Sequence, residues 1–138
     1  MVSWHKETVK EIVGKLKKHG YPVKAPYNLP EQTRKGALYQ PDIVVFDKGG
    51  NNEVVFIIEV QTKNVRKSIC GAVILAEICV RMLKQKQKPE MFFVLKETTN
   101  EEEIRKLNQR IREIMNSLKQ SHIKIPMFLK KNDLIDKY

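Results

Sequence analysis

Apolar residues recur along this chain at changing spacings, and each change predicts a new element. Val9, Ile12, Val13 and Leu16 share one side of a 3.6-residue repeat, which predicts an amphipathic helix over residues 3–19. Ser3 is placed to cap its start and Gly20 to close its end. Its outer face carries Lys6, Lys10, Lys15, Lys17 and Lys18, with Glu7 and Glu11 as solvated acids. Residues 21–40 hold Pro22, Pro26 and Pro30 and little periodicity, so a short strand near residues 22–24 and then a loop to about Gly36 are expected. From Leu38 to Gln61 two β-branched runs flank Asp47-Lys48-Gly49-Gly50-Asn51-Asn52, the composition of a hairpin turn. Both runs are apolar on both faces, as central strands covered by helices are.

Residues 64–86 are apolar nearly all round, which predicts a long helix buried on more than one side. Gly71 and Ala72 suit close approach to a sheet or a sister helix, and the surplus apolar surface predicts a homodimer interface. The basic run from Arg81 to Lys88 suits a helix C-terminus, and Pro89 ends the element. Met91 to Leu95 reads as a buried strand. Thr99 and Glu102 have capping-box spacing, and Ile104, Leu107, Ile111, Ile114 and Leu118 then define a third helix. Ile123 to Leu129 reads as a last strand, placed at a sheet edge by Pro126. The tail from Lys130 to Tyr138 is polar and expected on the surface. The pattern as a whole predicts a single α/β domain over residues 1–138, with a central mixed sheet flanked by helices.

Composition narrows this picture. The chain has 138 residues, enough for a core without staples. It has no long apolar run and no signal-like segment, so neither a membrane span nor secretion is expected, and a cytoplasmic location is. Cys70 and Cys79 fall nine apart in one predicted helix, a span of ~13 Å that a disulfide cannot bridge. Both are expected as reduced core residues. The formal charge of +10, from 26 Lys and Arg against 16 Asp and Glu, favours a polyanionic partner. A lysine-rich surface that only confers solubility has the same sign, so charge alone does not decide.

Candidate chemistry sits in the hairpin. Pairing residue 47 with residue 54 would set Asp42 opposite Glu59, with Cβ atoms ~5 Å apart. Two ionised carboxylates at that distance repel unless a cation lies between them, and such oxygen donors suit Mg²⁺ or Mn²⁺. A slip of one residue would send them to opposite faces. Alternation puts Glu59, Gln61 and Lys63 on one face of the second strand. His5 lies on the inner stripe of the first helix, where a histidine is usually packed or hydrogen-bonded rather than a ligand. No Ser/His/Asp triad, phosphate-binding loop, dinucleotide fingerprint or zinc spacing is present to suggest a rival chemistry.

Pro41-Asp42 followed by Glu59-Val60-Gln61 resembles the PD-(D/E)xK phosphodiesterases, which include restriction endonucleases and archaeal Holliday junction resolvases. The segment Leu16-Lys17-Lys18-His19-Gly20-Tyr21 is similar to the end of the first helix in those resolvases. The resemblance implies a restriction-endonuclease-like fold with core order α-β-β-β-α-β, then an extra α-β. It implies a Mg²⁺- or Mn²⁺-dependent endonuclease acting on DNA, with RNA left open. Asp42, Glu59 and the Val60 carbonyl would hold the metal. Gln61 stands where the family carries lysine, and Lys63 is placed to supply the missing ammonium. The helix position that carries an acid in the family falls at Val9. Arg34, Lys35, Arg66 and Lys67 would contact the phosphate backbone. The departures at Gln61 and Val9 support an alternative, a non-catalytic nucleic-acid binder on a decayed nuclease fold.

Overall fold

The computed structural model describes residues 3–29, 39–61, 66–118 and 120–137, with the side chains of Arg66 and Lys67 outside that description. Among the described residues nine elements follow in the order α1 (Trp4–Lys18), β1 (Val23–Lys24), β2 (Ile43–Phe46), β3 (Val54–Val60), α2 (Arg66–Leu83), β4 (Glu90–Leu95), α3 (Glu101–Asn116), β5 (Met127–Lys130) and α4 (Lys131–Lys137). The strands form one open sheet in sequence order. β1, β2 and β3 run antiparallel, whereas β3, β4 and β5 run parallel. The β2–β3 joint is a short turn and the β1–β2 joint spans residues 25–42; the two parallel joints need crossovers, and α2 and α3 are those crossovers.

Strand alternation divides the core into two layers. Val44, Ile57, Met91, Phe93 and Phe128 face α2 and α3. Ile43, Val45, Ile58, Phe92 and Val94 face α1 and α4. Because β2, β3 and β4 are covered on both sides, they are apolar on both sides, as the sequence pattern suggested.

Several ends differ from expectation for local reasons. The Ser3 side chain caps α1 by accepting from the Lys6 N–H, as predicted, and Gly20 adopts φ +90°, a backbone conformation that favours glycine. The buried stripe of α1 is Thr8, Ile12 and Leu16, with Val9 and Val13 only half-buried. Helix α2 stops at Leu83, short of Pro89, where Lys84 turns to φ +54°. The cap of α3 is Asn100, whose side chain accepts from the Glu102 N–H, and not Thr99. Strand β5 begins after Pro126 rather than at Ile123, and it lies at the sheet edge as expected. The tail is not merely a polar surface segment: residues 131–137 form α4, which buries Leu134 in the α1 layer. Of the two cysteines, Cys79 is buried and Cys70 is exposed; both are free.

Candidate metal site at the end of the β2–β3 hairpin

The hairpin register decides whether the site exists. At the tip the pairing is Phe46 with Val54, and the Asp47 N–H donates to the Glu53 carbonyl. That is one residue away from the pairing of 47 with 54 assumed from sequence. A bulge then intervenes: Val45 pairs with Phe56, leaving Val55 as the extra residue. From there Val44 pairs with Ile57 and Ile43 with Ile58, so the next step sets Asp42 against Glu59. Continued without a bulge, the tip register would set Asp42 against Ile58. The expected juxtaposition is therefore met, through a local irregularity the sequence pattern did not show. Asp47 holds the tip in place, accepting from the Gly49 N–H and the Asn51 side-chain amide.

Two reciprocal hydrogen bonds lock the carboxylates to the strand ends. The Asp42 N–H donates to Glu59 Oε1 at 2.9 Å, and the Val60 N–H donates to Asp42 Oδ2 at 2.8 Å. His5 Nε2 lies 3.1 Å from Asp42 Oδ1. His5 reaches this position because the first turn of α1 overlies the open end of β2. A hydrogen-bonded histidine, the sequence expectation at this position, fits the contact, and tertiary placement alone makes Asp42 its partner.

Electrostatics single out Glu59. Its carboxyl is pushed up to about 7, first by burial and then by the negative charge of Asp42, against the lowering influence of the Asp42 N–H. Tyr39 adds to this enclosure. Its buried hydroxyl is directed at Glu59, without completing a hydrogen bond of ordinary geometry, and its interaction with the carboxylate works with the Asp42 N–H to hold Glu59 down. Burial, and next the charge of Glu59, push its ionisation far above the ordinary phenol range. Nothing in the sequence marked Tyr39 beyond its position three residues before Asp42.

The other expected site residues divide in two. Gln61 is half-buried one residue beyond β3, and its N–H donates to the Val94 carbonyl at 2.9 Å. Continued alternation puts it on the Glu59 face. Val60 is buried, with its N–H committed to Asp42. Lys63, Arg34 and Lys35 lie outside the described residues, as do the side chains of Arg66 and Lys67, whose backbone opens α2. An open groove of about 510 Å³ runs from His5 and Asp42 along α1, past Lys6, Lys10 and Lys17, with Ala25 and Pro26 opposite. The α1 lysines thus lead toward Asp42.

The donor set fits a hard divalent cation in kind. Each carboxylate has lone pairs beyond those used by the hydrogen bonds above. Glu59 is raised first by burial and then by the Asp42 charge, and a cation beside the pair would offset both. Among the described residues no three His, Cys, Asp or Glu side chains are gathered into a ready-made metal cage. Two carboxylates, with water and substrate oxygens completing the shell, is the usual manner of Mg²⁺ binding. No helix among the described residues is long and apolar enough to cross a membrane. No protein-family model matches this chain, and neither a curated protein nor a solved structure does.

Proposed function

We propose that this protein is a metal-dependent nuclease that hydrolyses phosphodiester bonds in DNA, on a fold of the restriction-endonuclease type. The observation that carries the reading is the Asp42–Glu59 pair, held in register at the sheet end by reciprocal hydrogen bonds, with the Glu59 carboxyl raised by burial and by the charge of Asp42. Mg²⁺ or Mn²⁺, when bound, would supply a water of lowered pKa and neutralise charge growing on the phosphate. Asp42 and Glu59 would hold it, with the Val60 carbonyl as a further oxygen. Their hydrogen bonds to backbone N–H groups fix both carboxylates before substrate arrives, so little reorganisation is needed. Lys6, Lys10 and Lys17 would draw the phosphate backbone along the groove toward Asp42 without reading sequence. The neutral Gln61 amide can orient a water but cannot stabilise an anionic transition state as an ammonium does; Lys63 remains the proposed source of that charge.

A second reading has its own observation. Gln61 stands at the lysine position, and α1 offers His5 at the site instead of an acid, as in a binding protein that has lost catalysis. One experiment separates the two. Plasmid, four-way junction, flap, single-stranded DNA and RNA are incubated with the protein and Mg²⁺ or Mn²⁺, beside Asp42→Ala and Glu59→Ala. The nuclease reading expects metal-dependent cutting that both substitutions abolish. Binding without cutting at high protein concentration would leave the binder, and cutting that survives both substitutions would remove this pair from catalysis.

A further inference from the structure

A cavity of about 600 Å³ lies at the end of β2 remote from Asp42, between the hairpin tip, β1 and the end of α2. Leu29, Val54 and Leu83 give it an apolar inner wall. Two half-buried aromatic rings complete that wall. Tyr27 and Phe46 meet edge to face, with centroids 5.4 Å apart and planes at 87°. The Lys24 ammonium lies over both rings, 5.1 Å from the Tyr27 centroid and 6.0 Å from that of Phe46. Strand alternation explains the grouping. Val44 and Phe46 share the α2 side of β2, and Lys24 pairs with Val44 across the ladder, so Lys24 stands on that same side.

The rim carries charges of both signs, and they are not equally engaged. Glu53 accepts from the N–H groups of Lys86 and Gln87, and Asp47 from the Gly49 N–H and the Asn51 amide. Lys24 and Lys84 enter no ion pair among the described residues. Both ammonium groups therefore keep donors for an incoming anion, while the acids already use lone pairs within the chain. An exposed lysine holds an aromatic face more weakly than a stacked base does. A planar ring can thus take the aromatic faces from Lys24 and leave the ammonium beside the ring's own negative group.

The cavity also has a path to the carboxylates. Val23, Ala25 and Pro26 line the groove that ends at Asp42, and Lys24 and Tyr27 line this cavity, so the edge strand β1 borders both. Asp42 and Phe46 are four strand residues apart, ~14 Å.

We infer that this cavity takes one unpaired nucleotide of a nucleic-acid strand, its base against Tyr27 and Phe46 and its phosphate at Lys24 and Lys84. The strand would cross β1 from the groove along α1. A base inside a duplex must leave its stack and its pair to enter a walled cavity, so the site favours single-stranded over duplex nucleic acid. The inference rests on the proposal that this protein binds nucleic acid, and not on cleavage or on a bound metal.

Fluorescence anisotropy with labelled oligothymidylate tests it, on the full chain in EDTA so that no metal-dependent cutting occurs. The wild type should bind the single strand more tightly than the same strand paired with oligoadenylate. Tyr27→Ala should weaken single-strand binding about tenfold and leave duplex binding nearly unchanged. Lys24→Glu should weaken single-strand binding to a similar degree, and Lys24 is exposed, so that variant leaves the core untouched. Lys106→Glu, the same change of charge at an exposed position of α3, should have little effect. A wild type that binds neither single strand nor duplex would overturn the nucleic-acid proposal and this inference together. Single-strand binding that Tyr27→Ala and Lys24→Glu leave intact, or that Lys106→Glu weakens as much as Lys24→Glu does, would overturn this inference alone. So would full displacement of the strand by thymidine monophosphate at about 1 mM, which would make the cavity a site for free nucleotides.

Discussion

Two half-buried glutamates of this protein have carboxyls that move in opposite directions. Glu77 is lowered from its ordinary value: His122, two backbone N–H groups and the Ser121 hydroxyl all donate to it and outweigh its burial. Glu59 is raised to about 7, because burial and the charge of Asp42 together outweigh the Asp42 N–H and the Tyr39 hydroxyl that favour its ionised form. Glu77 is a staple that fastens the 121–123 loop to α2. Glu59 is a half-buried acid whose ionised form is disfavoured, paired with Asp42, which lines a groove flanked by the α1 lysines. Burial alone does not separate a structural acid from a candidate functional one; the sign of what surrounds each is what marks Glu59 as the candidate.

The sharpest way to break the contrast is to remove each acid. Glu77→Ala would strand the His122 N–H and leave its ring unpaired, while the Ser121 hydroxyl and the Ile123 N–H keep partners within the loop, and a loss of about 2 kcal/mol in urea unfolding is expected. Glu59→Gln should do the reverse at alkaline pH. A raised folded-state pKa contributes stability below the unfolded value of about 4.5, and that contribution disappears as pH rises through about 7. A tenfold change in proton affinity is worth about 1.4 kcal/mol, so wild-type, metal-free protein should lose about 2 kcal/mol from this group between about pH 5 and 8. Glu59→Gln should flatten that loss and be the more stable protein at about pH 8. Glu77 has the opposite slope: its contribution is present above the ordinary carboxyl value and fades as pH falls through its lowered one. Acid titration of Glu77→Gln beside wild type checks that sign.

A smaller effect sharpens the catalytic side. Gln61→Lys would place a charge on the Glu59 face, and about tenfold faster cleavage, near 1.4 kcal/mol of transition-state stabilisation, is expected in single-turnover assays. The smallest effect belongs to His5→Ala. Its contact with Asp42 is about one-third exposed on both sides, so a stability change below about 1 kcal/mol is expected by thermal unfolding.

How much of this could be read from the residues follows from what each element depends on. The sheet strands, α1 and α3 were legible because burial on one or both faces imposes a period, and Val44, Ile57 and Phe93 obey it. The Asp42–Glu59 pairing was legible only in outcome. Counting from the turn missed by one residue, and the bulge at Val55 restored the count; bulges depend on local backbone twist, which apolar periodicity does not record. Helix α4 was overlooked because seven polar-rich residues with one buried leucine carry too little pattern, although Leu134 packs firmly. His5 and Tyr39 reach the site through tertiary placement alone. The Thr99 capping box yielded to Asn100, an equally good cap one residue closer.

The central claim is that Asp42 and Glu59 form one cation site. Calorimetric titration of Mn²⁺ into the metal-free protein at about pH 7 tests it most directly, beside Asp42→Asn and Glu59→Gln. The account predicts one site, binding accompanied by proton release from the partly protonated Glu59, and loss of both binding and release in each variant. Binding of equal strength in the wild type and both variants, or none in the wild type at millimolar Mn²⁺, would contradict it.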